Sequence, residues 1–113
     1  MNQEINSQQI LKLSNQLFTK LSQLLKYFNI DYIEYPNRFA FACPIHGGDN
    51  TEGCTIFTDG NTAKGNWNCW TNHCEEEFSR NLFGFIRGVL SNKRASTVSI
   101  VDTINFCLEF LDL

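Results

Sequence analysis

Positive charge is scarce in this 113-residue chain: 9 Lys and Arg stand against 12 Asp and Glu, for a formal net charge of −3. With a sequence pI of about 5.2, that balance excludes the polybasic class of nucleic-acid binders, whose domains usually lie above pI ~9. No apolar run approaches the ~20 residues a membrane span needs. Residues 1–9 carry neither a basic stretch nor an apolar core, so no secretory leader is expected. Internal repeats, low-complexity tracts and Pro/Gly/Ser linkers are also missing, so residues 1–113 read as one domain. The five cysteines are irregularly spaced and odd in number, which argues against a complete disulfide framework. In a chain expected to be soluble and cytoplasmic, such cysteines read as metal ligands or buried thiols. Hydrophobic residues at 42% and charged residues at 19% exclude a disordered tail.

Three regions differ in periodicity. Residues 1–29 hold an N-terminal helix, expected from about Ile5 to Phe28, in which Ile10, Leu13, Leu17, Leu21, Leu24 and Phe28 recur three or four apart. Leu11, Phe18 and Leu25 form a second stripe beside them, and Asn29 and Pro36 mark the exit. Residues 30–74 read as short strands: Asp31 to Tyr35, Arg38 to Cys43, Cys54 to Thr58 and Gly65 to Cys69, with turns at Pro36-Asn37 and Asp59-Gly60. Phe39, Phe41 and Cys43 share one strand face, and Trp67 shares a face with Cys69. Residues 75–113 return to helical spacing. Phe78, Leu82, Phe85, Ile86 and Val89 form one stripe, interrupted by Gly84 and Gly88, which suggest that another element passes close by. A last helix, from about Ser96 to Leu111 with Ser96 or Thr97 as N-cap, carries Ile100, Ile104, Leu108 and Leu111. The fold expected is α+β: a zinc ribbon with a small antiparallel β-sheet, one N-terminal helix and two C-terminal helices.

Chemistry concentrates at two knuckles. Cys43-Pro44-Ile45-His46 ends one strand and Cys69-Trp70-Thr71-Asn72-His73-Cys74 ends another, with 22 residues between His46 and Cys69. Two close pairs of thiol and imidazole ligands on separate turns suit one tetrahedral, structural Zn²⁺ per chain. Cys43, His46, Cys69 and Cys74 give a Cys₃His set; His73 in place of Cys74 gives Cys₂His₂. The thiolate is the stronger ligand, which favours Cys74. Cys54, mid-strand, and Cys107, within an amphipathic helix, read as core thiols. Four closed ligands and no motif-placed general base argue against catalytic zinc.

At these residues the sequence resembles the N-terminal zinc-binding domain of bacterial and bacteriophage replicative DNA primases. The resemblance runs from about Arg38 to Ser91. It rests on the Cys-Pro-x-His start, the Gly47-Gly48-Asp49-Asn50 loop behind it, and the second cysteine pair leading into the Phe83-Gly84-Phe85-Ile86 helix. The second pair here is Cys-x₄-Cys, where that family more often has Cys-x₂-Cys. The resemblance implies a template-recognition domain that contacts single-stranded DNA to select primer initiation sites, with a catalytic primase domain and a helicase as partners. It places polymerisation in another domain, for which this chain supplies no Asp-x-Asp cluster.

Single-strand binding surfaces pair basic side chains with aromatics on which bases stack. Trp70, inside a knuckle, is the candidate platform, with Lys64, Arg38 and Arg80 as candidate phosphate contacts; Trp67 reads as core. Three thiolates and an imidazole around Zn²⁺ leave the centre at net −1, so weak and salt-sensitive DNA binding is expected. A stand-alone zinc-ribbon module that docks a protein partner through the Ile5 to Phe28 helix and the Gly84/Gly88 helix is the alternative. A transcriptional regulator is disfavoured by the lack of a basic groove-reading helix.

Overall fold

The computed structural model describes residues 7–58 and 65–112. Lys64, the Asp59-Gly60 turn and Ile5 lie outside the described residues. The chain runs through α1 (Ser7–Thr19), α2 (Leu21–Tyr27), β1 (Tyr32–Tyr35), β2 (Arg38–Phe41), β3 (Cys54–Phe57), β4 (Trp67–Cys69), α3 (Cys74–Phe78), α4 (Leu82–Arg94) and α5 (Ile100–Phe110). The strands form one antiparallel sheet in the order β1-β2-β3-β4. The α+β class and the small antiparallel sheet are those expected. Among the described residues no helix is long and apolar enough to cross a membrane.

The helices divide more finely than their periodicity implies. In place of one N-terminal helix there are two, separated at Lys20, where Thr19 Oγ1 donates to the Gln16 carbonyl at 2.7 Å and the backbone leaves helical geometry. A hydroxyl turned back on its own helix competes with the backbone ladder and bends it. The apolar stripe nevertheless crosses the bend, since Leu13, Leu17, Leu21, Leu24, Leu25 and Phe28 are all buried. Asn29, at φ 59°, then closes α2. The Asn29 N–H donates to the Lys26 carbonyl and the Ile30 N–H to the Leu25 carbonyl, the paired bonds of a left-handed helix exit.

The single stripe expected after Cys74 is likewise cut, between α3 and α4. Trp67 takes the carbonyls that would continue the helix: its indole N–H donates to Ser79 O at 2.8 Å and its backbone N–H to Arg80 O at 3.2 Å. Asn81 then caps α4 by accepting from the Gly84 N–H at 2.8 Å. Both helix glycines have the close neighbour their presence suggests. A Cβ at Gly84 would overlap the Ser79 carbonyl oxygen, and one at Gly88 would lie 2.5 Å from Ile45 Cδ1. Gly88 is therefore the seat on which the first knuckle rests against α4, and this face of the helix is consumed by the chain's own packing.

The last helix begins at Ile100, capped by Ser99, and not at Ser96 or Thr97. Val98 explains the delay. It is buried, its N–H donates to Ser91 Oγ at 2.9 Å and its carbonyl accepts from Arg87 Nε at 2.7 Å. These bonds hold an extended linker against α4. The face of α5 that is buried centres on Thr103 and Cys107, while Ile100, one of the expected stripe, is half exposed. Phe106 joins α5 to α2 by stacking on Phe28 at 5.5 Å.

Strand register sets the two sheet faces. Phe39, Ile56 and Trp67 align across β2, β3 and β4, and so do Phe41, Cys54 and Cys69. All six are buried, with Phe41 and Trp67 packed edge-on to Phe85 of α4. The opposite face carries Arg38, Ala40, Thr55 and Asn68. Cys43, two residues past Phe41, and Cys69 thus emerge on the same side at the same end of the sheet.

Candidate metal centre

The ends of β2 and β4 deliver one ligand pair each. After Cys43 the chain turns back on itself. Gly47 takes φ 71°, and the Gly48 N–H donates to the Cys43 carbonyl at 3.1 Å. This brings His46 back beside Cys43, their ligand atoms within 4.8 Å. A Cβ at Gly48 would lie 2.8 Å from His46 Nε2, so the absent side chain is part of what lets the imidazole swing in. After Cys69 the second knuckle closes through His73, whose N–H donates to the Cys69 carbonyl at 2.9 Å. His73 adopts φ 53° and ψ 43° as the cap of α3. That left-handed residue points Cys74 inward and leaves His73 outward.

Cys43, His46, Cys69 and Cys74 bring one ligand atom each to within 4.8 Å of one another. The two thiols of Cys43 and Cys74 are 3.9 Å apart, and His46 Nδ1 lies 3.5 Å from Cys69 Sγ and 3.4 Å from Cys74 Sγ. A tetrahedral ion with bonds of about 2.3 Å to sulfur and about 2.0 Å to nitrogen has sulfur–sulfur edges of about 3.8 Å and sulfur–nitrogen edges of about 3.5 Å. These three separations already match such edges and all four donor atoms lie within 4.8 Å of one another, so the residues fit a four-coordinate metal ion. His73 stands outside the group, its side chain 62% exposed and its Nδ1 turned to Glu75 Oε2 at 3.6 Å. All five cysteines are free thiols.

The electrostatics suit a cation. A hydrogen bond from the Cys54 thiol, opposed by burial, holds the Cys43 thiol down to about 4. Burial pushes the Cys74 thiol up to about 12, against a hydrogen bond from the Asn72 amide. The same contact with Cys43, together with burial, drives Cys54 upward. A Cys43 thiol held low beside a Cys74 thiol held high is a pair that a metal completes by displacing a proton. Cys54 is the core residue expected, yet it sits across from Cys69 in the sheet and feeds a hydrogen bond to the centre. Cys107 is remote and simply buried, which pushes its thiol to about 12.

Two residues around the centre escaped sequence reasoning. Glu75 is only 2% exposed; its Oε1 accepts the Cys69 N–H at 2.7 Å, while Oε2 faces Arg80 Nη2 at 4.0 Å. Thr71 places its hydroxyl 3.3 Å from His46 Nε2. A carboxylate six residues beyond a candidate ligand, and a hydroxyl two beyond it, were the available signals.

Of the candidate DNA contacts, Trp70, Arg80 and Arg38 fall among the described residues and lie on or beside the outer sheet face. Trp70 is 53% exposed and donates from Nε1 to Thr55 Oγ1 at 3.1 Å. Arg80 donates to Asn68 Oδ1 at 3.0 Å. Arg38 lies over the Tyr35 ring, 4.1 Å from its centroid. Trp67 is in the core, as expected. No protein family, curated protein or solved structure matches the chain.

Proposed function

We propose that the chain is a zinc-stabilised module that binds single-stranded DNA template in the manner of a primase zinc domain, with no polymerase centre of its own. In this reading Cys43, His46, Cys69 and Cys74 hold one structural Zn²⁺. Three thiolates with one imidazole at tetrahedral edges are the donor set that zinc favours over harder divalent ions. Four protein ligands leave no position for a reacting water, so the metal's role is to fix the two knuckles.

Trp70 carries the binding half of the reading. Its indole N–H is satisfied by Thr55, yet the side chain remains half exposed on a knuckle that the metal would hold rigid. An anchored, exposed indole is a stacking platform for a base. Arg38 and Arg80 supply charge toward a passing phosphate backbone, and each is held by a neighbour, Arg38 by Asn37 and Arg80 by Asn68. A catalytic primase domain and a helicase are the partners this reading requires.

Binding of short fluorescent single-stranded oligomers by the zinc-loaded chain tests it. Few cations and a net-negative metal centre predict a dissociation constant above micromolar at physiological salt, weakening as salt rises. Trp70→Ala is expected to weaken binding by about 1–3 kcal/mol, the range for loss of one stacked base. Equal binding by wild type and Trp70→Ala would overturn the stacking surface. Sub-micromolar binding to generic oligomers would contradict the weak, knuckle-centred contact.

A further inference from the structure

The Thr71 hydroxyl stands between two of the four candidate metal ligands. Its Oγ1 lies 3.3 Å from His46 Nε2 and 3.8 Å from Cys69 Sγ. On the far side of the same imidazole, Nδ1 faces the Cys69 and Cys74 sulfurs at 3.5 and 3.4 Å. If the metal is bound through Nδ1, the neutral ring must carry its proton on Nε2. That N–H then needs an acceptor, and a hydroxyl accepts while its own hydrogen remains free to donate.

We infer that Thr71 is a positioning residue for the metal centre: its hydroxyl accepts the His46 Nε2–H and donates to Cys69 Sγ, fixing Nδ1 as the ligating nitrogen. The bridge ties the first knuckle to the second without passing through the metal, and it moderates the charge on one thiolate. Gly48 leaves the ring its room, since a Cβ there would sit 2.8 Å from Nε2. The imidazole is thus held between a glycine that leaves it room and a hydroxyl that sets its tautomer. A ligating histidine whose second nitrogen is hydrogen-bonded in this way typically loses 10–100-fold in metal affinity when the partner is removed.

This inference rests on the Cys₃His metal reading, and the experiment separates the two. The full chain, Thr71→Val and Thr71→Ser are titrated with Zn²⁺ against a chromogenic chelator and with Co²⁺ by absorption, and the His46 ring protons are located by nitrogen NMR. Thr71→Val keeps the shape and loses the hydroxyl; it is expected to lose about tenfold in Zn²⁺ affinity and to shift the sulfur-to-cobalt charge-transfer band. Thr71→Ser restores the hydroxyl and is expected to stay near wild type in both readouts. Wild type is expected to show the zinc-bound His46 protonated at Nε2. One equivalent of metal in wild type with no loss in Thr71→Val, or equal losses in Val and Ser, would overturn the bridge alone. A wild-type chain that takes up no metal would overturn the metal reading and the bridge with it.

Discussion

Stripping zinc from the loaded chain with a chelator is expected to abolish the cooperative thermal transition of the β region, while part of the helical signal survives. Cys43, Cys69 and Cys74 are all buried at one end of a four-stranded sheet whose strands are only three or four residues long. Short strands contribute few ladder bonds, and two-stranded units are marginal by themselves. The knuckles are otherwise held by scattered single bonds: the Cys43 to Gly48 turn by one backbone bond and by Asn92 on the Pro44 carbonyl, the second knuckle by bonds from His73 to Cys69, from Trp70 to Gly53 and Thr55, and from Cys69 to Glu75. Structural zinc in small domains contributes on the order of 10 kcal/mol to ordering, which exceeds what these turns can replace. The helices lose less. Leu17, Leu24, Leu25, Phe85, Ile86 and Val89 belong to the one apolar core, which they share with Phe41, Trp67 and the ligand cysteines, but the hydrogen bonds inside each helix are local and need no metal. Circular dichroism through a thermal scan, with and without chelator, reads both parts. Superimposable transitions would refute a structural metal.

Glu75→Ala is expected to cost about 3 kcal/mol by chemical denaturation of the zinc-loaded chain, and Glu75→Gln less than half of that. The carboxylate is almost fully buried, and its Oε1 is the acceptor for the Cys69 N–H. Alanine leaves that donor inside the protein without a partner, a penalty of about 1–3 kcal/mol, and removes a charge-assisted bond from the neck of the knuckle. Glutamine keeps an amide oxygen in the same place and gives up only the charge shared with Arg80 and His73, both well exposed. Exposed partners make such pairs weak, so the predicted difference between Ala and Gln measures the Cys69 bond. Equal destabilisation by both would assign the effect to charge.

How much of this was legible follows from how far each feature depends on distant residues. The two ligand pairs are local: Cys-x₂-His and Cys-x₄-Cys each fit on one turn, and their spacing already admits a shared metal. The alternation of Phe39, Phe41 and Cys43, and of Trp67 and Cys69, gave the sheet face on which the ligands meet. The choice between His73 and Cys74 turns on one left-handed residue, and spacing allowed both. The end of α3 and the late start of α5 were invisible because their causes lie elsewhere in the chain. Trp67 captures the carbonyls of Ser79 and Arg80, and Val98 is pinned by Ser91 and Arg87. Glu75 is followed by Glu76 and Glu77, a run that suits any helix start, and only the tertiary fold turns it inward onto Cys69. Cys54 read correctly as core, but strand register was needed to show which ligands it adjoins.

The most direct test of a Cys₃His centre is metal stoichiometry by native mass spectrometry, backed by elemental analysis of the purified chain. One zinc per chain is expected, retained in Cys54→Ser and His73→Ala, and lost or weakly held in Cys43→Ser, His46→Ala, Cys69→Ser and Cys74→Ser. A chain without zinc, or one that keeps it in Cys74→Ser and loses it in His73→Ala, would contradict a Cys₃His centre.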